Sequence, residues 1–199
     1  DLEHLPFQNP HVLFVRGSSL SEETYRRAGV DRAAQAIVLA TAYDDRSSDA
    51  VVASAVSVID SINPNVHIVA ECLNDDHRML FSAVRTNAIV SALRMTGNLL
   101  VQESLDRGVS QMFDIITSNL AGDTLYSTPV AQPLPGDYRS LAKSLLDRDV
   151  NVLSVVRGQE TFTTFGEVHP AEGDRVIYLA AHRHDWPELA RLAGVGRSG

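Results

Sequence analysis

Ala36-Ile37-Val38-Leu39-Ala40, residues 48–63 and Val66-His67-Ile68-Val69-Ala70 together decide the architecture of this chain. The two pentapeptides are apolar almost end to end, as strands covered on both faces of a parallel sheet are. Between them, Val52, Ala55, Val56 and Ile59 recur at helical spacing, and Pro64 ends the pattern. Val51, Val58 and Ile62 widen that stripe well beyond one face, so the helix is expected to be covered on most sides. Strand, helix and strand in this order predict a parallel sheet flanked by helices.

Working toward the amino terminus, His11-Val12-Leu13-Phe14-Val15 reads as another strand, ended by Gly17. Ser19-Leu20-Ser21-Glu22 fits a capping box, and Gly29 suits the left-handed position where the following helix stops. In the other direction, Asn74 caps a helix predicted over 75–85. Asp75 and Asp76 fall in its first turn, where the helix dipole favours carboxylates. Residues 87–91 make a short strand. Residues 93–118 read as one long helix or a broken pair, with an apolar seam at Leu105, Val109, Met112 and Ile116 and break points at Gly97 and Gly108.

After a turn at 119–123 the rhythm changes. Strands are predicted over 125–131, 150–156, 161–165 and 174–180, and helices over 137–146 and around 187–192, which together make a small α+β domain.

Of the 199 residues 44% are hydrophobic, enough for packed cores, yet no apolar run nears the ~20 residues of a membrane helix. The single cysteine, Cys72, cannot form an internal disulfide, which fits a reducing, cytosolic setting. Seventeen basic residues against 25 acidic ones leave a net charge of −8, which repels phosphate backbones, so no nucleic-acid partner is expected.

The sequence holds no nucleophile elbow, P-loop, CxxC pair or H-E-x-x-H spacing, and the expectation is a sensor rather than an enzyme. Ligands of open parallel sheets collect outside the carboxyl ends of the strands. Thr41 and the pair Asp44/Asp45 follow one such strand, and Glu71 follows the next. Thr41 offers a hydroxyl to a nucleotide. Glu71 reads either as an effector ligand or as an ion-pair partner, and Asp44 and Asp45 as a solvated loop or helix start. Cys72 reads as a small buried hydrophobe, and His77, in the helix after Glu71, as a packing residue before one that approaches the crevice. His182 and His184 would share a strand face, but with no cysteine nearby they read as surface histidines.

The order of segments resembles the regulator-of-potassium-conductance (RCK, TrkA-type) family. Phe14-Val15-Arg16-Gly17-Ser18, Tyr25-Arg26-Arg27-Ala28-Gly29-Val30 and Ala36–Thr41 carry the likeness, with residues 66–71, 74–77 and 87–90. Asp106-Arg107-Gly108 lies in a stretch similar to the family's crossover helix, and Gly173-Asp174-Arg175-Val176-Ile177 is similar to its last strand. The resemblance implies an α/β fold in three parts. Residues 1–96 form a Rossmann-like subdomain lacking its first strand–helix–strand unit, 97–118 the crossover helix, and 119–199 the C-terminal subdomain.

The resemblance further implies a ligand-sensing gating domain of a potassium channel at the cytoplasmic face of the membrane, coupling nucleotide or cation binding to pore opening. Alternatives are a peripheral subunit of a Trk/Ktr-type transporter or cation antiporter and, less favoured, an NAD-dependent oxidoreductase. The implied partners are the pore or a transporter membrane subunit, with homodimers assembling into an octameric ring. The implied effectors are NAD(H), ADP/ATP or AMP, and a divalent cation such as calcium. Asp1, Thr41, Asp44 and Glu71 are the implied cofactor contacts, Asp1 or Glu3 toward a ribose hydroxyl, and Glu71 the implied metal ligand. Ser18 and Leu73 stand where calcium-gated relatives place ligands, so that calcium site is expected to be largely absent.

Overall fold

The computed structural model describes residues 9–45, 47–118 and 122–194. The chain divides into two compact units, Asp1–Gln102 and Glu103–Gly199. In the first, strands β1 (Gln35–Val38), β2 (His67–Glu71) and β3 (Ala88–Val90) form a parallel sheet in that spatial order. Helices α1 (Glu22–Arg27), α2 (Ser48–Ile62) and α3 (Arg78–Ser82) connect and cover it, and α4 (Ala92–Leu105) follows β3.

Helix α2 exists for the reason its periodicity predicts. Val52, Val56 and Ile59 are almost wholly buried and meet Ile68 and Ala70 of β2 and Phe81 of α3 in one core. Burying each such side chain contributes about 1.5–3 kcal/mol. Asn63, just past the helix, donates its side-chain amide to the carbonyls of Val30 and Ala33, tying the helix end to the lead-in of β1. The stripe is thus consumed inside its own unit, as the width of its pattern predicts.

Three other expectations are corrected. Residues 12–16 form no strand: Leu13 is 90% exposed, and an apolar run becomes a strand only where a neighbour completes its ladder. Strand β1 is covered on one face only, with Ile37 bare at 72% exposure and Leu39, just past its end, at 65%, so apolar composition overstated its burial. Helix α1 starts from Ser21 rather than Ser19, without a side-chain cap. Ser18 instead bonds the Leu20 N–H, and the Tyr25 hydroxyl donates to the Ser19 carbonyl. The helix does end as predicted, with Gly29 left-handed at φ +81°.

A second helix, α5 (Val109–Thr117), begins after Gly108, whose φ of +96° suits glycine and breaks the helical run. Glu103, in the last turn of α4, accepts the Gly108 and Ser110 N–H groups and so caps the start of α5. Leu93, Met95, Leu100 and Leu105 of α4 and Met112, Phe113 and Ile115 of α5 are exposed. Ile116, expected in the same seam, is buried where α5 meets β4.

The second unit is an antiparallel sheet in the order β4 (Thr124–Pro129), β7 (Arg175–Ala180), β5 (Asn151–Arg157), β6 (Glu160–Phe162), with α6 (Tyr138–Leu146) and α7 (Trp186–Leu192). Tyr138, Leu145, Val155, Val176, Tyr178 and Leu189 lie at its centre. Asp137 and Asp185 cap the two helices through Ser140 and Glu188 N–H groups. The α/β and α+β layout predicted from sequence is the one observed. Among the described residues no helix is long and apolar enough to cross a membrane.

Candidate functional site

All three parallel strands point their carboxyl ends at the same edge of the first unit, which brings the loops after β1 and β2 together. Glu71, the last residue of β2, is 9% exposed. Its carboxylate accepts the Ala40 N–H at 2.9 Å and the Tyr43 hydroxyl at 2.7 Å, so it latches the loop after β1 onto the end of β2. The hydrogen bond and charge of Glu71 push the Tyr43 phenol above its ordinary pKa.

Thr41 is fixed beside this latch by Ser48, the fully buried first residue of α2. The Ser48 Oγ accepts the Thr41 N–H at 2.9 Å and lies 3.2 Å from Thr41 Oγ1. The Thr41 hydroxyl therefore already has a partner on the protein.

The centre of the edge is Asp49, which is 2% exposed. Its carboxylate accepts the N–H groups of Leu73 and Asn74 at 2.8 and 3.0 Å and lies 2.9 Å from the His77 Nδ1. Burial pushes the Asp49 carboxyl up, but these three partners outweigh it and hold the carboxyl below the usual carboxylate range. Asp45 is likewise held low by the N–H and hydroxyl of Ser47. Asp75, on the neighbouring loop, accepts the Ser91 hydroxyl at 2.7 Å, which lowers its carboxyl, with the Arg94 and Arg78 guanidiniums adding to the effect.

Tyr43, Asp44, Asp45, Asp49, Asn74, His77, Leu73 and Leu93 line a cleft of about 160 Å³. That is below the ~300–1,000 Å³ of pockets that engulf a drug-sized ligand, so the cleft by itself suits an ion or one end of a larger molecule. Its carboxylates favour a cation over a phosphate. Of the sequence-derived candidates, Asp44 lines the cleft and is exposed, and Thr41 and Glu71 hold the loop that forms one wall. Asp1 and Glu3 lie outside the described residues. Cys72 is buried, with its Sγ donating to the Asn74 carbonyl, and burial pushes the thiol up.

Sequence reasoning missed Asp49, Ser48 and Tyr43. Asp49 sits in the first turn of a helix that follows a parallel strand, and that position aims a carboxylate at the strand-end edge. His77 also does more than pack, since it pairs with Asp49 and forms part of the wall.

No protein-family model matches the chain. The calcium-gated potassium channel TvoK of Thermoplasma volcanium is 20% identical over 190 residues, which cover 93% of this chain and 54% of that channel. The chain thus spans about half the length of the curated relative it matches. Among solved structures, the human SLO3 gating ring is 13% identical with a TM-score of 0.67, matching 94% of this chain and 40% of the ring chain. A crystal structure of the GsuK RCK domain, 19% identical over 98% of this chain and 40% of its own, has a TM-score of 0.43.

Proposed function

We infer that this chain, which has the fold of a regulator-of-potassium-conductance gating-ring module, is the cytoplasmic ligand-sensing domain of a potassium channel. The observation that carries the reading is the order of parts. A parallel α/β unit, a helix pair broken at a left-handed glycine and a small α+β unit follow one another here, and the fold is similar to that of a gating ring over 94% of the chain. The similarity to a calcium-gated channel over nearly the whole chain points to the same class of protein.

In this reading a cation or nucleotide meets the strand-end cleft beside Asp44, Asp49 and His77, with Thr41 and Glu71 shaping the loop it touches. The excess of carboxylates favours the cation. The ligand undergoes no chemistry. It binds one arrangement of the assembled modules more tightly than another, and about 2–3 kcal/mol of differential affinity shifts a closed–open ratio by ~30–160-fold. The exposed apolar side chains of α4 and α5, and the open face of β1, support association with further copies of the chain, and through them a ring beneath the pore.

Thermal denaturation with NAD, NADH, ADP, ATP, AMP, calcium and magnesium tests this. One of these ligands is expected to raise the melting temperature, since a ligand at a hundredfold its Kd stabilises by about 2.7 kcal/mol. Asp44→Ala should shrink that shift while leaving the ligand-free melting temperature nearly unchanged, and Tyr43→Phe should shrink it while also lowering the ligand-free value, because buried Glu71 loses a donor. A panel with no shift, or a shift indifferent to both substitutions, would remove the site.

A further inference from the structure

We propose that His182, His184 and Glu188 form a binding site for a borderline transition-metal ion of the zinc class, in the second unit and independent of the strand-end cleft. Two imidazole nitrogens and one carboxylate oxygen from these residues all lie within 4.8 Å of one another. A tetrahedral zinc with ligands at ~2.0–2.2 Å sets neighbouring ligand atoms roughly 3.3–3.5 Å apart. His184 Nδ1 and Glu188 Oε2 already stand 3.1 Å apart, so closure needs only a small movement of exposed His182.

An independent observation points to a ligand. The His184 side chain is 7% exposed, yet its buried Nδ1 makes no hydrogen bond. Glu188 Oε2 is near enough to accept one but lies off the axis of a ring N–H. A buried polar nitrogen left in this state is costly. A cation placed between the nitrogen and the carboxylate satisfies both at once. The ordinary alternative is a plain ion pair between His184 and Glu188, with Arg191 a further 3.6 Å from Glu188 Oε1. That alternative leaves the misdirected ring unexplained, and it gives no reason for the His182 ring to sit 4.4 Å from that of His184.

The fold holds these groups ready. The His184 carbonyl accepts the buried hydroxyls of Thr128 at 2.6 Å and Tyr178 at 3.0 Å, and its N–H donates to Tyr178 at 2.8 Å. Arg183, between the two histidines, is drawn the other way. Its guanidinium lies 5.1 Å from the Tyr126 ring and donates to the Ser127 carbonyl. Residues 182 and 184 are thereby left on one side of the turn. Asp185 caps α7 and places Glu188 one turn in, four residues from His184. Two imidazoles with one carboxylate suit zinc, nickel or cobalt and are poor ligands for calcium, which takes oxygen. A bound ion would tie the turn after β7 to α7, with its remaining position open to solvent.

The test is titration of the chelator-treated chain with Zn²⁺ by calorimetry, repeated with Co²⁺ while recording its visible absorption. One saturable equivalent is expected, with a Co²⁺ spectrum of four- or five-coordinate form. His182→Ala and Glu188→Gln should each weaken binding at least about tenfold, the size of effect that even outer-shell changes reach at metal sites. His67→Ala, on an exposed strand residue elsewhere, should not. His182 is exposed, so its variant is expected to fold as the parent does, and far-ultraviolet circular dichroism checks this. Absence of saturable binding, or equal affinity in parent and His182→Ala, overturns the proposal.

Discussion

Asp174→Ala is expected to destabilise the second unit by about 2–6 kcal/mol, from leaving two donors without their acceptor at about 1–3 kcal/mol each. Asp174 is fully buried at the turn before β7. It accepts the Arg157 Nε and Nη2 at 2.7 and 2.8 Å, the Tyr138 hydroxyl at 2.6 Å and the Ala171 N–H at 3.0 Å. Truncation strands the wholly buried Tyr138 hydroxyl and the Ala171 N–H and releases the two-pronged guanidinium. Against a typical total stability of about 5–15 kcal/mol this is a large fraction. Trp186, the only tryptophan, is 2% exposed in the same core, so its fluorescence during urea unfolding reports this unit. A midpoint equal to the parent's would show that the network contributes nothing.

The same network sets an acid limit. Burial pushes the Asp174 carboxyl up, but Arg157, Tyr138 and the Ala171 N–H overcome it and hold the carboxyl below its ordinary value. A depressed folded pKa contributes stability that is complete above the unfolded carboxylate value of about 3.9. That stability is lost as pH falls through the lower folded value. Tyr138 is pushed upward by burial and by Asp174, so it stays protonated and donating throughout. Tryptophan-monitored stability should therefore be flat near neutrality and fall below about pH 4. Asp174→Asn should lose most of that acid slope. A variant with the parent's full slope would assign the acid sensitivity to other carboxylates.

Asp49→Ala should cost about 1–3 kcal/mol, because it strands the half-buried Leu73 N–H, whereas the N–H of exposed Asn74 can turn to water. The first unit has no tryptophan, so the measurement is amide hydrogen exchange at Leu73 and Asn74. At roughly 1.4 kcal/mol per tenfold, exchange there should accelerate by about 5- to 140-fold. Amides of the second unit should keep their rates. Asp49 also helps line the cleft, so the variant should lose the ligand-induced thermal shift as well. Unchanged exchange at these two amides would mean that the loop after β2 is held by something other than this carboxylate.

How much could be read in advance depended on the range of the interaction. The helices 48–63, 137–146 and 187–192 were legible because capping and period are local: Asp137 meets Ser140 three residues on, and Pro64 ends its helix without outside help. Of the two glycines that could break the run at 93–118, Gly108 takes the left-handed φ open to glycine and does so, whereas Gly97 stays inside α4. Thr41, Asp44 and Glu71 could be placed at the strand ends from topology alone.

Pairing across the chain could not be read this way. The run at 11–15 has strand composition yet forms no strand, and Ile37 and Leu39 look buried in sequence and are bare in the fold. Asp49 gains its meaning from Leu73 and Asn74, 24 and 25 residues away. His184 was read as a surface residue because its two buried anchors, Thr128 and Tyr178, announce nothing at short range.

By itself the sequence determined most of the element types and the change from a parallel α/β half to an α+β half, because those follow from short-range periodicity and chain order. Only the tertiary structure decided which carboxylates are spent on backbone donors and which face a cleft, and which histidine is buried beside another. Hydrogen bonds and burial depend on distances in space, and those are set by packing between residues far apart in the chain.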